Sequence, residues 1–145
     1  MRISTKGRYG LRTLMDIALH QSQGAVTLND IAKRQRISVK YLWQVINPLK
    51  TAGFLSVTRG AKGGYVLARR PDEIDLFEIV TILEGEVSLV DCLHKNETCE
   101  MRDACVARSV WMDVNRVVEK ALKKVKLSDV LKRCEGASDV NNYVI

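Results

Sequence analysis

The fold of this chain is decided by residues 27–67, TLNDIAKRQRISVKYLWQVINPLKTAGFLSVTRGAKGGYVL. Thr27 and Ser38 are favourable N-cap residues, and each precedes a run with apolar residues at helical spacing. The pattern predicts two short consecutive helices, Leu28–Arg36 and Val39–Ala52. Two such helices joined by a tight turn are typical of a helix-turn-helix.

A β-hairpin is predicted directly after these helices. Two strand-like runs, Phe54–Arg59 and Tyr65–Ala68, flank the loop GAKGG at residues 60–64. Glycine at this density supplies the positive φ values that a tight hairpin requires. Within the second helix, Pro48 is expected to kink or restart the helix at Asn47/Pro48, because proline lacks a backbone N–H.

A longer helix is predicted before this segment, from a cap at Ser4/Thr5 to the turn at Gln21–Gly24. The order helix, helix-turn-helix, hairpin is that of a winged helix-turn-helix. We therefore expect a mainly α fold with a small β-hairpin wing, completed by a long dimerisation helix. Downstream, a short helix is predicted near Leu76–Leu83, then an irregular loop over residues 91–105.

The long helix is predicted at Val106–Val125 and has a continuous apolar stripe. The stripe consists of Val110, Val114, Val117, Val118, Ala121, Leu122 and Val125. A chain of this size has too little hydrophobic core of its own to cover a stripe of this length. We therefore expect the stripe to pack against a symmetric partner helix in a homodimer. Packing of the stripe within its own domain is the alternative.

The distribution of charge separates the two halves of the chain. Residues 1–70 hold 13 of the 23 Lys and Arg but only two of the 17 Asp and Glu. Such a basic module favours a polyanionic partner. We divide the 145 residues into a winged helix-turn-helix DNA-binding domain (1–70), a connecting helix and cysteine loop (71–105), a dimerisation helix (106–127) and a C-terminal helix and tail (128–145).

The DNA-contacting residues follow from the geometry of a helix-turn-helix, whose second helix enters the major groove. A hairpin wing lies over the neighbouring minor groove, where a narrow A·T tract attracts arginine. The alternative is that these side chains form only a solvated face. The predicted DNA-binding residues are Ser38, Lys40, Tyr41, Gln44, Arg59 and Lys62.

The cysteines are the second chemical feature. No apolar run is long enough to span a membrane and no secretion signal opens the chain, so we expect a cytoplasmic protein with reduced thiols. The spacing Cys92-x6-Cys99-x5-Cys105 suits thiolate ligands of an iron–sulfur cluster, and zinc or redox thiols stay open as alternatives. No nucleophile–base pair, phosphate loop or paired carboxylates indicate an enzyme, so none is expected.

Three segments resemble one known family: the opening MRISTKGRYG, the stretch Tyr41-Leu42-x-Gln44, and the wing Arg59-Gly60-x-x-Gly63-Gly64-Tyr65. They are similar to the iron–sulfur-cluster regulators, bacterial winged-helix transcription factors that include IscR, NsrR and CymR, and are nearest to the IscR-like members. The resemblance implies a homodimer on a palindromic operator of double-stranded DNA. It also implies an iron–sulfur cluster on the three cysteines, with 2Fe-2S favoured over 4Fe-4S, and Arg59 in the minor groove.

Two positions depart from the family pattern. Trp43 stands where the family commonly has a glutamate that selects the operator, so specificity is not carried over; a partly buried packing role is the simple alternative for Trp43. Arg108 stands where IscR-like members have the histidine that completes the cluster site. The candidates for a fourth ligand are His94, Glu97, Glu100, Asp103 and Cys134.

The sequence therefore predicts a DNA-binding repressor of cluster-assembly or sulfur-metabolism genes, controlled by an iron–sulfur cluster. The alternative is a cysteine-metabolism repressor that senses through a protein partner, with the cysteines as zinc ligands or redox thiols. In that case the C-terminal carboxylate tail Asn142-Tyr143-Val144-Ile145 is similar to peptides that dock in cysteine synthase, and CymR-type repressors partner with that enzyme.

Overall fold

The structure is a computed structural model and describes residues 2–95 and 98–135. This part of the chain forms six α-helices and one antiparallel hairpin. In order they are α1 (Thr5–His20), α2 (Leu28–Gln35), α3 (Val39–Thr51), β1 (Leu55–Thr58), β2 (Gly64–Leu67), α4 (Leu76–Glu84), α5 (Val106–Lys124) and α6 (Leu127–Glu135). The mainly α winged helix-turn-helix with a long additional helix is confirmed.

The first three helices begin where the cap residues predict. Ser4 Oγ accepts a hydrogen bond from Lys6 N (3.0 Å), Thr27 Oγ1 from Asp30 N (3.1 Å) and Ser38 Oγ from Tyr41 N (3.2 Å). Each bond satisfies a backbone donor that has no partner in the first turn of a helix.

α3 runs through Pro48 without a break, so the restart predicted at Asn47/Pro48 is wrong. An internal proline costs a helix about 3 kcal/mol. The apolar residues of α3 on both sides of Pro48 have no solvent exposure, and each buried side chain contributes roughly 1.5–3 kcal/mol. Their burial therefore outweighs the proline. These residues are Leu42, Val45, Ile46 and Leu49.

The wing is a two-stranded ladder with Leu55 opposite Leu67 and Thr58 opposite Gly64. Both strands lie within about one residue of the predicted runs. An additional antiparallel rung joins β2 to the segment before α2: Tyr65 N donates to Val26 O (2.8 Å), and Val26 N donates to Tyr65 O (2.9 Å). This rung fastens the wing to the helical body.

The glycines of the wing serve two purposes. Only Gly60 in the loop has a positive φ, 109°, so the expectation that the loop glycines supply positive φ holds at that position alone. A Cβ on Gly63 would lie 2.5 Å from Thr58 O, and one on Gly64 would lie 2.6 Å from Val26 O. These two residues are glycine because another backbone strand approaches them closely.

Gly64→Ala is expected to lower the free energy of unfolding by about 1–3 kcal/mol. The new methyl group collides with the Val26 carbonyl, which is backbone and cannot rotate away. Urea denaturation measures the loss. Ala61→Ser, at the exposed tip of the same loop, is the control and should leave the midpoint unchanged. Equal midpoints for Gly64→Ala and the wild type would contradict the steric argument.

One hydrophobic core joins elements from distant parts of the chain. Leu14 and Ile17 of α1 and Ile79 of α4 pack in the same cluster as Leu127 and Cys134 of α6, all with 0–1% exposure. α6 thus folds back onto the winged helix-turn-helix. None of the described helices is both long and apolar enough to cross a membrane.

A buried ionic network links α1 and α2. The Asp16 carboxylate has no solvent exposure and accepts hydrogen bonds from Arg34 Nη2 (2.6 Å), Arg34 Nε (3.0 Å) and Gln35 Nε2 (2.9 Å). The hydrogen bond to Asp16 raises the pKa of the Arg34 guanidinium above its usual value. The network aligns α2 against α1, and so helps to position the following helix, α3.

α5 lies outside this core. Among its 19 residues only Asn115 is buried. Several apolar side chains of α5 face solvent in the single chain. They are Val106 (78% exposed), Val110 (55%), Trp111 (44%), Val114 (41%) and Val117 (66%).

Candidate nucleic-acid interface and cysteine loop

The outer surface of α3 carries three of the four residues predicted there to meet DNA. Ser38, Lys40 and Gln44 are exposed. Tyr41 is half-buried instead, and its ring packs edge-on against Tyr9 with centroids 5.4 Å apart. A residue of α1 therefore packs against Tyr41 and covers part of its ring.

The same surface of α3 holds side chains that the sequence analysis did not select. Trp43 is 45% exposed and Val39 is 36% exposed, one helical turn apart. Asn47 and Lys50 continue this outer face and are also exposed. Positions 39, 43, 47 and 50 are about one helical turn apart, and this spacing is the sequence signal that the four residues share one face of the helix. An exposure of 45% is compatible with the partly buried packing role considered for Trp43 and also leaves part of the ring open to a ligand.

The wing presents Arg59 and Lys62 at its exposed loop. Its position is fixed from two sides, by the rung with Val26 and by Gln21 Oε1, which accepts a hydrogen bond from Leu67 N (2.8 Å). Both predicted basic residues are thus carried by a hairpin anchored to the helical body. This arrangement suits contact with phosphates or the minor groove.

The cysteine loop begins and ends close to one residue of α5. Cys92 lies in a short 3-10 turn, Asp91–Leu93, and its carbonyl accepts a hydrogen bond from Arg108 Nε (3.4 Å). Cys105 is the N-cap of α5, and its Sγ accepts a hydrogen bond from Arg108 N (3.4 Å). Cys92 and Cys105 are half-buried, whereas Cys99 is exposed. None of the chain's four cysteines, all in described segments, forms a disulfide.

The candidates for a fourth ligand are dispersed. His94 already contacts Ser88 Oγ through Nε2 (3.0 Å) and Glu86 Oε2 through Nδ1 (3.4 Å). Cys134 is fully buried in the core. Glu100 and Asp103 are exposed, and Glu97 lies outside the described residues.

Within residues 2–95 and 98–135, no three His, Cys, Asp or Glu side chains are gathered as metal ligands. The donor chemistry nevertheless fits a thiophilic group, because three thiols are carried on one loop whose ends meet at Arg108. Cys99 is exposed between them, so closing the site requires rearrangement of the loop and not of the core.

Asn115 connects the segment before the cysteine loop to the middle of α5. Its Oδ1 accepts a hydrogen bond from Leu89 N (3.0 Å), and its Nδ2 donates to Val87 O (3.4 Å) and to Glu119 Oε1 (2.9 Å). The sequence analysis missed this residue. The available signal is a polar side chain at helical spacing from Val118 and Leu122, at the edge of the apolar stripe.

Comparison with known proteins agrees with this arrangement. The model of the Rrf2 family, described as an iron-dependent transcriptional regulator, matches residues 3–133. The chain is 38% identical over 132 residues to protein rrf2 of Nitratidesulfovibrio vulgaris, which covers 91% of this chain and 88% of that protein.

Two further relatives have solved structures. CymR of Bacillus subtilis is 34% identical over 145 residues, all of both chains, and its structure superposes with a TM-score of 0.76 over 92% of this chain and 98% of that one. IscR of T. potens has a TM-score of 0.75 at 38% identity, over 95% of this chain and 91% of that one. The family resemblance is confirmed: this chain belongs to the Rrf2 family of DNA-binding transcriptional regulators.

Proposed function

We propose that this protein is a homodimeric repressor whose affinity for its operator is set by an iron–sulfur cluster on Cys92, Cys99 and Cys105. The observation that carries the proposal is the convergence of both ends of the cysteine loop on Arg108, at the start of α5. Family members named IscR support cluster-dependent regulation, and the family model is described as iron-dependent.

DNA binding in this proposal uses α3 and the wing. α3 enters the major groove with Ser38, Lys40 and Gln44 toward phosphates and base edges, while Tyr41 supports them from the α1 side. Arg59 and Lys62 contact the neighbouring backbone and minor groove. Two copies bind the half-sites of a palindrome one turn of DNA apart.

The dimer is formed by α5. Its exposed valines, Val106, Val110, Val114 and Val117, lie on one side of the helix, and Asn115 faces the body of its own protomer from the other side. A second copy of α5 across this face removes the apolar surface from water. The same helix then carries the dimer contact and the anchor of the cysteine loop.

The three thiolates would hold the cluster, which supplies a link between loop and helix that depends on iron and on oxidation state. Arg108 holds the two loop ends, and Asn115 holds the preceding segment Val87–Leu89 against α5. Ordering of the loop therefore acts on the position of α5. Because α5 sets the separation of two α3 helices in the dimer, small rotations change affinity for a two-part operator.

The test is anaerobic purification followed by absorption spectroscopy and by iron and sulfide counts. We expect a coloured protein with stoichiometric iron and sulfide, and loss of both in Cys92→Ala/Cys99→Ala/Cys105→Ala. Cys134→Ala is the control and should keep them, since Cys134 lies in the core. Operator affinity is measured in parallel and should differ between loaded wild type and triple variant. A colourless wild-type protein would rule out the cluster.

A second candidate is a regulator of cysteine metabolism that senses through a protein partner. The observation favouring it is the full-length match to CymR, whose structure is described as that of the global cysteine regulator of B. subtilis. Here the cysteines serve as zinc ligands or redox thiols. The proposed contact with cysteine synthase uses residues 142–145, which lie outside the described residues. Deletion of Val144 and Ile145 should abolish a pull-down of that enzyme.

A further inference from the structure

Two apolar side chains on the outer face of α3 are only partly covered by the protein's own fold. Trp43 is 45% exposed and Val39 is 36% exposed, while the inward aliphatic residues of α3 have no exposure. A tryptophan side chain carries one of the largest apolar surfaces, and burying it is strongly favourable. Its position on the surface that faces DNA therefore points to a ligand that covers it.

The surroundings of this pair are basic and disfavour a cationic or mainly apolar partner. Lys40 and Gln44 flank Trp43 on the exposed side, and Lys50 follows two turns later. α3 contains no acidic residue, and residues 1–70 hold only two in all. An apolar patch of two side chains within a basic surface is complementary to a polyanion that itself presents small apolar groups.

The major groove presents one such group, the C5-methyl of thymine. Indole and isopropyl surfaces pack against a methyl group, and the indole Nε1–H is a donor only. It therefore matches the acceptor O4 of thymine and not the N4 amino group of cytosine.

We propose that Trp43, supported by Val39, reads a thymine methyl group in each operator half-site, beside the base contacted by Gln44. The proposal rests on the DNA-binding function proposed above and deepens it. It assigns Trp43 as a specificity-determining residue. Lys40 and Lys50 contribute to affinity for any sequence, because charge contacts to phosphate do not depend on the base.

The experiment begins with selection of an operator from random duplex DNA by the wild-type dimer. Each thymine of the selected half-site is then replaced by deoxyuridine, which removes only the methyl group. We expect one position per half-site at which this replacement weakens wild-type binding by roughly three- to tenfold. Trp43→Ala should bind thymine and uracil operators equally at that position.

Asn47→Ala is the matched control, because Asn47 lies on the same exposed face one turn further along α3. This variant should still bind the thymine operator more tightly than the uracil operator. Thermal melting checks the fold of each variant, and Trp43→Ala should melt like the wild type since the side chain is exposed. This inference alone is overturned if an operator is selected but binding does not weaken at any position when the methyl group is removed. It is also overturned if Trp43→Ala discriminates thymine from uracil as the wild type does. Failure to select any sequence overturns the DNA-binding proposal with it.

Discussion

Replacement of Asp16 by alanine is expected to destabilise the protein by about 3 kcal/mol, at the lower end of the range for a broken buried ion pair. The carboxylate is fully buried and accepts hydrogen bonds from Arg34 and Gln35. Alanine leaves the buried Gln35 amide and the partly buried Arg34 guanidinium without this acceptor. The expected loss of stability is at the low end because the Arg34 side chain is 30% exposed, so water hydrates part of its guanidinium group.

The chain offers a matched control for this experiment. Arg70 and Asp72 form an ion pair with the same 2.6 Å separation, but the side chains are 75% and 50% exposed. Asp72→Ala should cost less than about 1 kcal/mol, because water replaces an exposed partner. Urea denaturation of the two variants separates the effect of burying an ion pair from the effect of removing a charge. Similar losses for both would show that the Asp16 network does not depend on its burial.

Val110→Glu/Val117→Glu is expected to convert the dimer to a monomer and to weaken binding to a palindromic operator by about 10²–10⁴-fold. Both side chains are exposed in the single chain, at 55% and 66%, so the charges should not disturb the protomer. At a helix–helix contact, however, they bury unpaired carboxylates. Binding to an isolated half-site should be unaffected, because α3 is unchanged.

Light scattering gives the mass of the variant, and fluorescence anisotropy gives its affinity for the palindrome and for one half-site. Lys120→Glu is the control: it lies on an exposed part of α5 outside the valine stripe and changes the net charge by the same amount. It should stay dimeric. A double variant that keeps the mass of a dimer would place the dimer contact elsewhere than on this face of α5.

In the proposed regulation, the two faces of α5 connect the cysteine loop to the dimer. The valine face is proposed to set the geometry of the dimer. The opposite face holds Asn115, which receives the hydrogen bond from Leu89 and donates to Val87. A change in the loop reaches the dimer through a single helix and does not need to cross the core.

Local signals in the chain were sufficient for the architecture and for part of the candidate site. The caps at Ser4, Thr27 and Ser38 and the apolar periodicity between them each act within about one helical turn, so the sequence shows where the helices begin. Exposure of Lys40 and Gln44 follows from the same periodicity. Whether they and the cysteines act as proposed stays a prediction.

Contacts between distant residues decided the rest. The buried residues around Pro48 keep α3 continuous, Tyr9 turns Tyr41 inward, and the Val26 backbone requires Gly64. Asn115 accepts a hydrogen bond from Leu89, which lies 26 residues earlier in the chain. Periodicity assigns a residue to a face of its own element, but it does not say which other element covers that face. Only the tertiary structure shows that Trp43 stays 45% exposed, because exposure depends on every neighbour at once.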